Sequence, residues 1–166
     1  MTSASKQPAH SPLPSSPLAT KSGENNRPSP TSHVRIARPS KSLAAAERFW
    51  KDGLGLQVLW RSGSAEHVEG GHELLMVGWP GASWHLELVQ VYEQDGVDMQ
   101  PRPTEEDLLV IYLDGPVDPA VVNALIDAGG KQVEAKNPYW NTWGVTLEDP
   151  DGYRLVLCKR QWSNSV

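Results

Sequence analysis

The first half of the chain shows hydrophobic patterning that changes period twice. Residues 33–38 alternate apolar and polar side chains as a strand does, and Pro39 ends the run. Residues 43–50 then place apolar side chains at helical spacing, behind Ser40 or Ser42 as a capping residue. Three more strands are predicted, over 56–60, 73–79 and 83–91, with a Pro-Gly turn between the last two.

The second half repeats this order after a polar linker at 95–106. It reads strand, helix, strand, strand, strand, over 108–113, 117–128, 131–135, 142–148 and 153–158. One half alone would leave an apolar sheet face exposed, whereas two halves can curl their sheets towards each other around a shared interior. The predicted fold class is therefore α+β, with two βαβββ modules, about 32–92 and 106–162, forming a cupped mixed sheet.

The residues ahead of this repeat, 1–31, are rich in Ser and Pro and carry few large apolar side chains. We predict a disordered tail followed by one domain, 32–162. The net charge of −5 and the lack of a Lys/Arg stripe in the folded segments argue against nucleic acid binding. No apolar run is long enough for a membrane span and no signal-peptide core is present, so we expect a cytoplasmic protein without membrane contact.

Two motifs resemble segments of a known superfamily. The first helix runs on as Phe49-Trp50-Lys51-Asp52-Gly53-Leu54-Gly55-Leu56, and the last hairpin turns at Asp149-Pro150-Asp151-Gly152-Tyr153. Both resemble the vicinal oxygen chelate superfamily of glyoxalases, bleomycin resistance proteins and extradiol dioxygenases. The stretch Asn137-Pro138-Tyr139-Trp140 further resembles a poorly characterised single-domain branch of that superfamily. The resemblance implies a homodimer with a small organic ligand in the cup.

Members of the superfamily often bind a divalent metal through His and Glu side chains on four strands of the cup. The resemblance carries these four positions onto Arg35, Glu87, Leu108 and Val156. Only Glu87 is of a ligand type, and an arginine carries a permanent positive charge. We therefore expect a degenerate metal site and no cofactor. The alternative is a divalent metal held by His85 and Glu87, which share a strand face, together with His33 or His72.

Arg35 and Glu87 are expected to face each other in the cup. If buried, the two must pair, because an unpaired buried charge is costly. The functional interpretation makes Glu87 or His85 a general base, or an anchor for a polar group of the ligand. Further ligand-binding candidates are Tyr112, Asn137, Tyr139, Trp140 and Trp143. Aromatic rings near a cup can sandwich a flat ligand, while Asn137 either shapes its turn or presents its amide.

Three functional hypotheses follow for the cup. The first is an enzyme of unassigned reaction, a lyase or an oxidoreductase, with Glu87 and His85 as acid/base groups. The second is a binding protein that sequesters its ligand, as bleomycin resistance proteins do. The third is a divalent-metal-dependent lyase or dioxygenase. The sequence favours the first over the second only slightly and leaves the substrate open.

Overall fold

A computed structural model describes residues 27–62, 71–92 and 100–165. The first module contains β1 (Val34–Pro39), α1 (Leu43–Glu47), a π-helical continuation (Arg48–Gly53), β2 (Gln57–Arg61), β3 (His72–Gly78) and β4 (Trp84–Val91). The second contains β5 (Leu108–Tyr112), α2 (Pro119–Asp127), β6 (Lys131–Val133), α3 (Pro138–Trp143), β7 (Gly144–Glu148) and β8 (Arg154–Cys158). All of these elements belong to one compact unit, 32–166. Most of the predicted tail, 1–26, lies outside the described residues.

Each module forms one four-stranded mixed sheet, so the predicted α+β fold class is confirmed. The strand order is β1-β4-β3-β2 in the first sheet and β5-β8-β7-β6 in the second. In both, the first and last strands of the module pair in parallel and the remaining pairs are antiparallel. No helix in the part of the chain that the structure describes is long and apolar enough to cross a bilayer.

A single hydrophobic core joins the two modules. Phe49 and Trp50 are fully buried at its centre and pack edge to face, with ring centroids 5.0 Å apart. The two central strands contribute Leu86, Leu88, Leu155 and Leu157 to this core. Side chains alternate along a strand, so the residues between these leucines lie on the opposite face of each sheet. We call that opposite face the cup face.

The last hairpin connects the two modules through its turn. The Oδ1 atom of Asp149 accepts hydrogen bonds from the backbone N–H groups of Asp151 and Tyr153, both at 2.9 Å, and Gly152 takes a positive φ of 90°. Asp151 in turn accepts a 2.8 Å hydrogen bond from the backbone N–H of Lys41, just before α1. The turn predicted from the sequence thus also ties the second module to the first.

The structure corrects the sequence prediction at two helices. The first helix changes from α to π geometry at Arg48, so its last turn accommodates an extra residue before Gly53. The segment expected to be a loop before β7 is the short helix α3. Asn137 caps this helix by accepting the backbone N–H of Tyr139 at 3.0 Å, and Pro138 occupies its first turn. Asparagine followed by proline is a normal helix start, which the loop interpretation overlooked.

Candidate functional site

The predicted site residues on β1 and β4 of the first module lie on its cup face. His85 and Glu87 alternate with the core residues Leu86 and Leu88 along β4, and each is only 8% exposed. Arg35 lies beside His85 in the parallel register of β1 and β4. The backbone therefore places the first module's predicted site residues on one surface.

Arg35 and Glu87 form an ion pair, as expected from the sequence. Arg35 Nη1 lies 2.9 Å from Glu87 Oε2, although the approach does not have the geometry of a directed hydrogen bond. The side chain of Arg35 is 53% exposed whereas that of Glu87 is 11% exposed. The carboxylate is therefore held inside the cup, while part of the guanidinium remains accessible to solvent or to a ligand. The pair is partly screened by solvent, which limits its stabilising effect.

A second contact on this surface joins two histidines. His33 Nε2 lies 2.6 Å from His85 Nδ1, and the two ring centroids are 4.8 Å apart. One of these nitrogens donates and the other accepts, so the bond couples the tautomers of the two rings and holds the orientation of the His85 ring. His33 was predicted from the sequence only as a possible metal ligand. Its position two residues before Arg35 was the available signal, because alternation puts the two side chains on one face.

The other nitrogen of His85 has no partner. Its Nε2 atom is buried and makes no hydrogen bond with any residue that the structure describes. Burial lowers the pKa of His85, and the neighbouring His33 and Arg35 lower it further, while Glu87 acts in the opposite direction. The imidazole is therefore neutral near pH 7. Its Nε2 atom can accept a proton in one tautomer and donate one in the other.

The corresponding surface of the second module is apolar at its centre. Val156 is fully buried on β8 and pairs with Val110 on β5 and Thr146 on β7. The hydroxyl of Thr146 is buried without a partner among the described residues. Leu108 lies two residues before Val110 on the same face of β5, at the position that corresponds to Arg35 in the first module. The cup face of this module therefore has no carboxylate or imidazole at its centre.

The residues at the four carried-over positions do not fit a divalent metal. Glu87 forms an ion pair with Arg35, and the side chains of Leu108 and Val156 carry no atom that could bind a metal. Within residues 27–62, 71–92 and 100–165, no group of three or more His, Cys, Asp or Glu side chains could hold a metal ion.

The aromatic side chains predicted to bind a ligand lie in a different place, beside the segment that follows β8. The Tyr139 hydroxyl accepts a 2.9 Å hydrogen bond from Arg160, whose guanidinium lies 4.9 Å from the centre of the Trp143 ring. Tyr112 stacks on Trp162 with centroids 5.9 Å apart. Trp140 packs edge to face on Tyr139 at 4.9 Å. These contacts run to residues around Arg160 rather than to Glu87 or His85.

Arg160 and Trp162 were not among the predicted site residues. Arg160 follows β8 directly, and Trp162 is the most exposed of the large apolar side chains. A short polar segment after the last strand carries no sequence signal for such contacts. They depend on where α3 and the end of β5 lie in the folded chain.

Each of the two modules matches a known domain family in sequence. Residues 34–89 match the profile of the YycE-like N-terminal domain, and residues 106–159 match that of the YycE-like C-terminal domain. The uncharacterized protein YycE of Bacillus subtilis (strain 168) is 41% identical over 125 residues, which cover 75% of this chain and 85% of YycE. The chain belongs to the YycE-like family. This family membership confirms the predicted place in the vicinal oxygen chelate superfamily.

Solved structures confirm the fold of this YycE-like chain. The crystal structure of B. subtilis YycE superimposes with a TM-score of 0.69 at 34% identity and covers 82% of this chain and 95% of YycE. The trypanothione-dependent glyoxalase I of Leishmania major gives 0.55 at 18% identity, covering 76% and 84% of the two chains. TnmS3, an antibiotic binding protein from Streptomyces sp. CB03234, gives 0.50 at 24% identity, covering 76% and 94%. The last two likenesses concern the fold alone.

Proposed function

We propose that this YycE-like protein is an enzyme that converts a small organic molecule in its cup, with His85 as the acid/base group. The observation that carries the proposal is the buried and unpartnered Nε2 atom of a neutral imidazole. A nitrogen in this state is suited to exchange a proton with a bound ligand. Its orientation is fixed from the other side of the ring by the 2.6 Å bond to His33.

The geometry supports different roles for His85 and Glu87 in this proposal. In the tautomer in which His85 Nδ1 donates to His33, the lone pair on Nε2 is free to act as a base. In the other tautomer, Nε2–H is a donor that can act as an acid or bind an oxygen of the ligand. Glu87 is already paired with Arg35, so it holds the guanidinium in place rather than taking the proton. The exposed part of Arg35 would anchor a carboxylate or another polar oxygen of the substrate.

The test is a turnover screen on the purified protein. Small carbonyl and carboxylate compounds are incubated with the protein, and products are detected by mass spectrometry. His85→Asn keeps a planar polar side chain without a titratable nitrogen, and we expect a loss of turnover of roughly 10²–10⁴-fold. His72→Asn, at the start of β3, is the matched control and should leave turnover within about twofold. Turnover that survives in His85→Asn would remove this residue from the mechanism.

A sequestering protein is the second candidate, favoured by the exposed rings of Tyr139 and Trp143 on either side of Arg160. The two candidates differ in the effect of His85→Asn. The substitution should remove nearly all turnover by an enzyme but only weaken the affinity of a binding protein.

The assembly, location and cofactor are part of the same proposal. We propose a cytoplasmic homodimer that works without a metal. Elemental analysis of the purified protein for Ni, Zn, Fe and Mn, with titration of the apo form, tests the last point. A stoichiometric metal would replace this proposal with a metal-dependent lyase or dioxygenase that uses His85 and Glu87.

A further inference from the structure

A cavity of about 290 Å³ lies on the core side of the second sheet. Leu54 and Trp79 of the first module line one part of it, and Ile111, Val121 and Leu157 of the second module line another. Ile111 and Leu157 pack against the hydrophobic core, so this cavity opens on the sheet face opposite to the cup face. It is therefore separate from the site around His85.

The walls of the cavity are held in place by other contacts. Trp79 packs edge to face on Trp84, with centroids 5.7 Å apart. Ile111 and Leu157 are neighbours in the β5–β8 ladder. Asp118 caps α2 by accepting the backbone N–H of Ala120 at 2.8 Å. The cavity is thus formed in advance and does not need to be opened by a ligand.

The lining is apolar with one charged exception, Asp118. One carboxylate oxygen of Asp118 is used by the helix cap, and the other makes no hydrogen bond with the described residues. Among the residues that the structure describes, no lysine or arginine lines the cavity, and a second acid, Asp114, lies in the loop that leads to it. The charge of the lining therefore complements a cation, while Trp79 offers an aromatic ring that also attracts cations.

We propose that this cavity binds a small organic amine, with an apolar ring among Ile111, Val121 and Leu157 and an ammonium group at Asp118. The volume is at the lower end of the range for small-molecule pockets, so it suits a single ring with a short chain. A ligand there would contact both modules at once. It should raise the thermal stability of the protein with concentration, because it binds the folded chain only.

The experiment compares 2-phenylethylamine with 2-phenylethanol and phenylacetate on the full-length protein. We expect the amine to bind with a dissociation constant on the order of 1 mM or below in calorimetry, and more tightly than the alcohol or the acid. Asp118→Asn should weaken the amine about two- to fivefold and leave the alcohol unchanged, because asparagine still caps the helix. Asp127→Asn, an exposed acid at the other end of α2, is the matched control and should change neither.

Two further variants decide where the amine binds. Val121→Phe should fill the cavity and abolish binding of both the amine and the alcohol, with circular dichroism to check that the variant folds. Glu87→Gln should leave the amine affinity unchanged, so the result is independent of the acid/base proposal for His85. Equal affinity for amine, alcohol and acid, or amine binding that is lost in Glu87→Gln, would overturn the proposal. No amine binding, with a dimer that dissociates on Trp79→Glu, would assign the cavity to a second copy of the chain.

Discussion

The two modules have the same framework but different cup faces. In each module the first and last strands pair in parallel, with Ala37 beside Glu87 in one and Val110 beside Val156 in the other. These registers put Glu87 and Val156 at corresponding positions, in line with the carry-over from the resembled superfamily. One position holds a buried carboxylate and the other a fully buried valine. The framework is therefore set by the core face, and the cup face is free to differ.

The two cup faces also differ in whether a cation is available to neutralise a carboxylate. Glu87 has Arg35 within 2.9 Å, whereas the position corresponding to Arg35 in the second module is Leu108. Arg154, the cation nearest to Val156 along β8, is already paired with Glu105 and Glu148 at 3.3 Å each. The first module is built to hold a carboxylate in the cup and the second is not.

Val156→Glu tests this difference with the largest expected effect. A carboxylate at this buried position would have no free cation, so the free energy of unfolding should fall by about 3–5 kcal/mol, measured by urea denaturation. Val156→Thr, which changes shape little, is the control and should cost about 1–2 kcal/mol. The double variant Leu108→Arg/Val156→Glu recreates the ion pair of the first module and should recover part of the loss. A loss below about 1 kcal/mol for Val156→Glu would mean that the two cup faces are equally tolerant of charge.

The hairpin turns of the two modules differ in the opposite sense, because here the second module carries the buried acid. The first turn, at Pro80-Gly81, has no acid, while the second contains Asp149. Burial and the neighbouring Asp151 raise the pKa of Asp149 from 3.8 to about 6, although Tyr153 and Asp151 donate to it and Arg38 lies nearby. Burial likewise lowers the pKa of Arg38. Loss of hydration therefore outweighs the attraction between these two groups.

The second prediction concerns the pH dependence of this turn. A carboxyl group with a raised pKa in the folded state favours folding when protonated, so its contribution is lost as the pH rises from about 4 to above 6. A shift from 3.8 to about 6 corresponds to about 3 kcal/mol. Relative to Asp149→Asn, the wild-type protein should lose up to that amount between pH 4 and pH 7 in urea denaturation. His85, whose pKa is lowered by burial, is present in both proteins and therefore cancels in the comparison. Parallel stability curves would contradict the prediction.

Local patterning explains why the fold could be predicted. Alternation in β4 and β8 and the helical spacing of α2 are properties of neighbouring residues. The Asp149–Gly152 turn is also local, because the side chain of Asp149 accepts a hydrogen bond from the backbone of the turn itself. Because the second half of the chain repeats the order of elements of the first, recognising the first sheet also predicts the second. The helix α3 was missed because Asn137-Pro138 fits a turn as well as a helix start.

The site could be predicted only in part. The ion pair between Arg35 and Glu87 follows from placing two opposite charges on adjacent strands of one face. The contact between His33 and His85 depends on rotamers and on the residue just before β1, which alternation alone does not fix. The position of Tyr139 and Trp143 at Arg160 depends on how α3 meets the end of β8. Contacts between distant segments are absent from local patterns, and the aromatic candidates were therefore placed together with the acid/base group.

The third prediction concerns a feature that the modules share. Each contributes a glycine at the end of its helix to the contact between them. A Cβ atom on Gly53 would lie 3.0 Å from the Cα of Leu125, and one on Gly130 would lie 2.5 Å from Phe49 Cε2 and 2.8 Å from the Leu125 carbonyl oxygen. Gly130→Ala should therefore cost about 2–3 kcal/mol of unfolding free energy and Gly53→Ala about 1 kcal/mol, by overpacking. Gly115→Ala, where a Cβ meets nothing within 4 Å, is the control. A larger loss at Gly53 than at Gly130 would reverse the ranking of these close approaches.

The smallest effect is expected for the ion pair that distinguishes the first module. In a double-mutant cycle with Arg35→Met and Glu87→Leu, we expect a coupling of about 1 kcal/mol from urea denaturation. Half of the Arg35 side chain is exposed to water, which keeps the coupling small, while the burial of Glu87 keeps it above that of a surface pair. The pair between Lys51 and Asp52, exposed at both ends, is the control and should show a coupling near zero. A coupling of about 3 kcal/mol or more between Arg35 and Glu87 would mean that the pair is dry, and that Arg35 is not available to a ligand. A coupling equal to that of the control would mean that water reaches both charges freely, so that the cup face of the first module tolerates its carboxylate without help from the arginine.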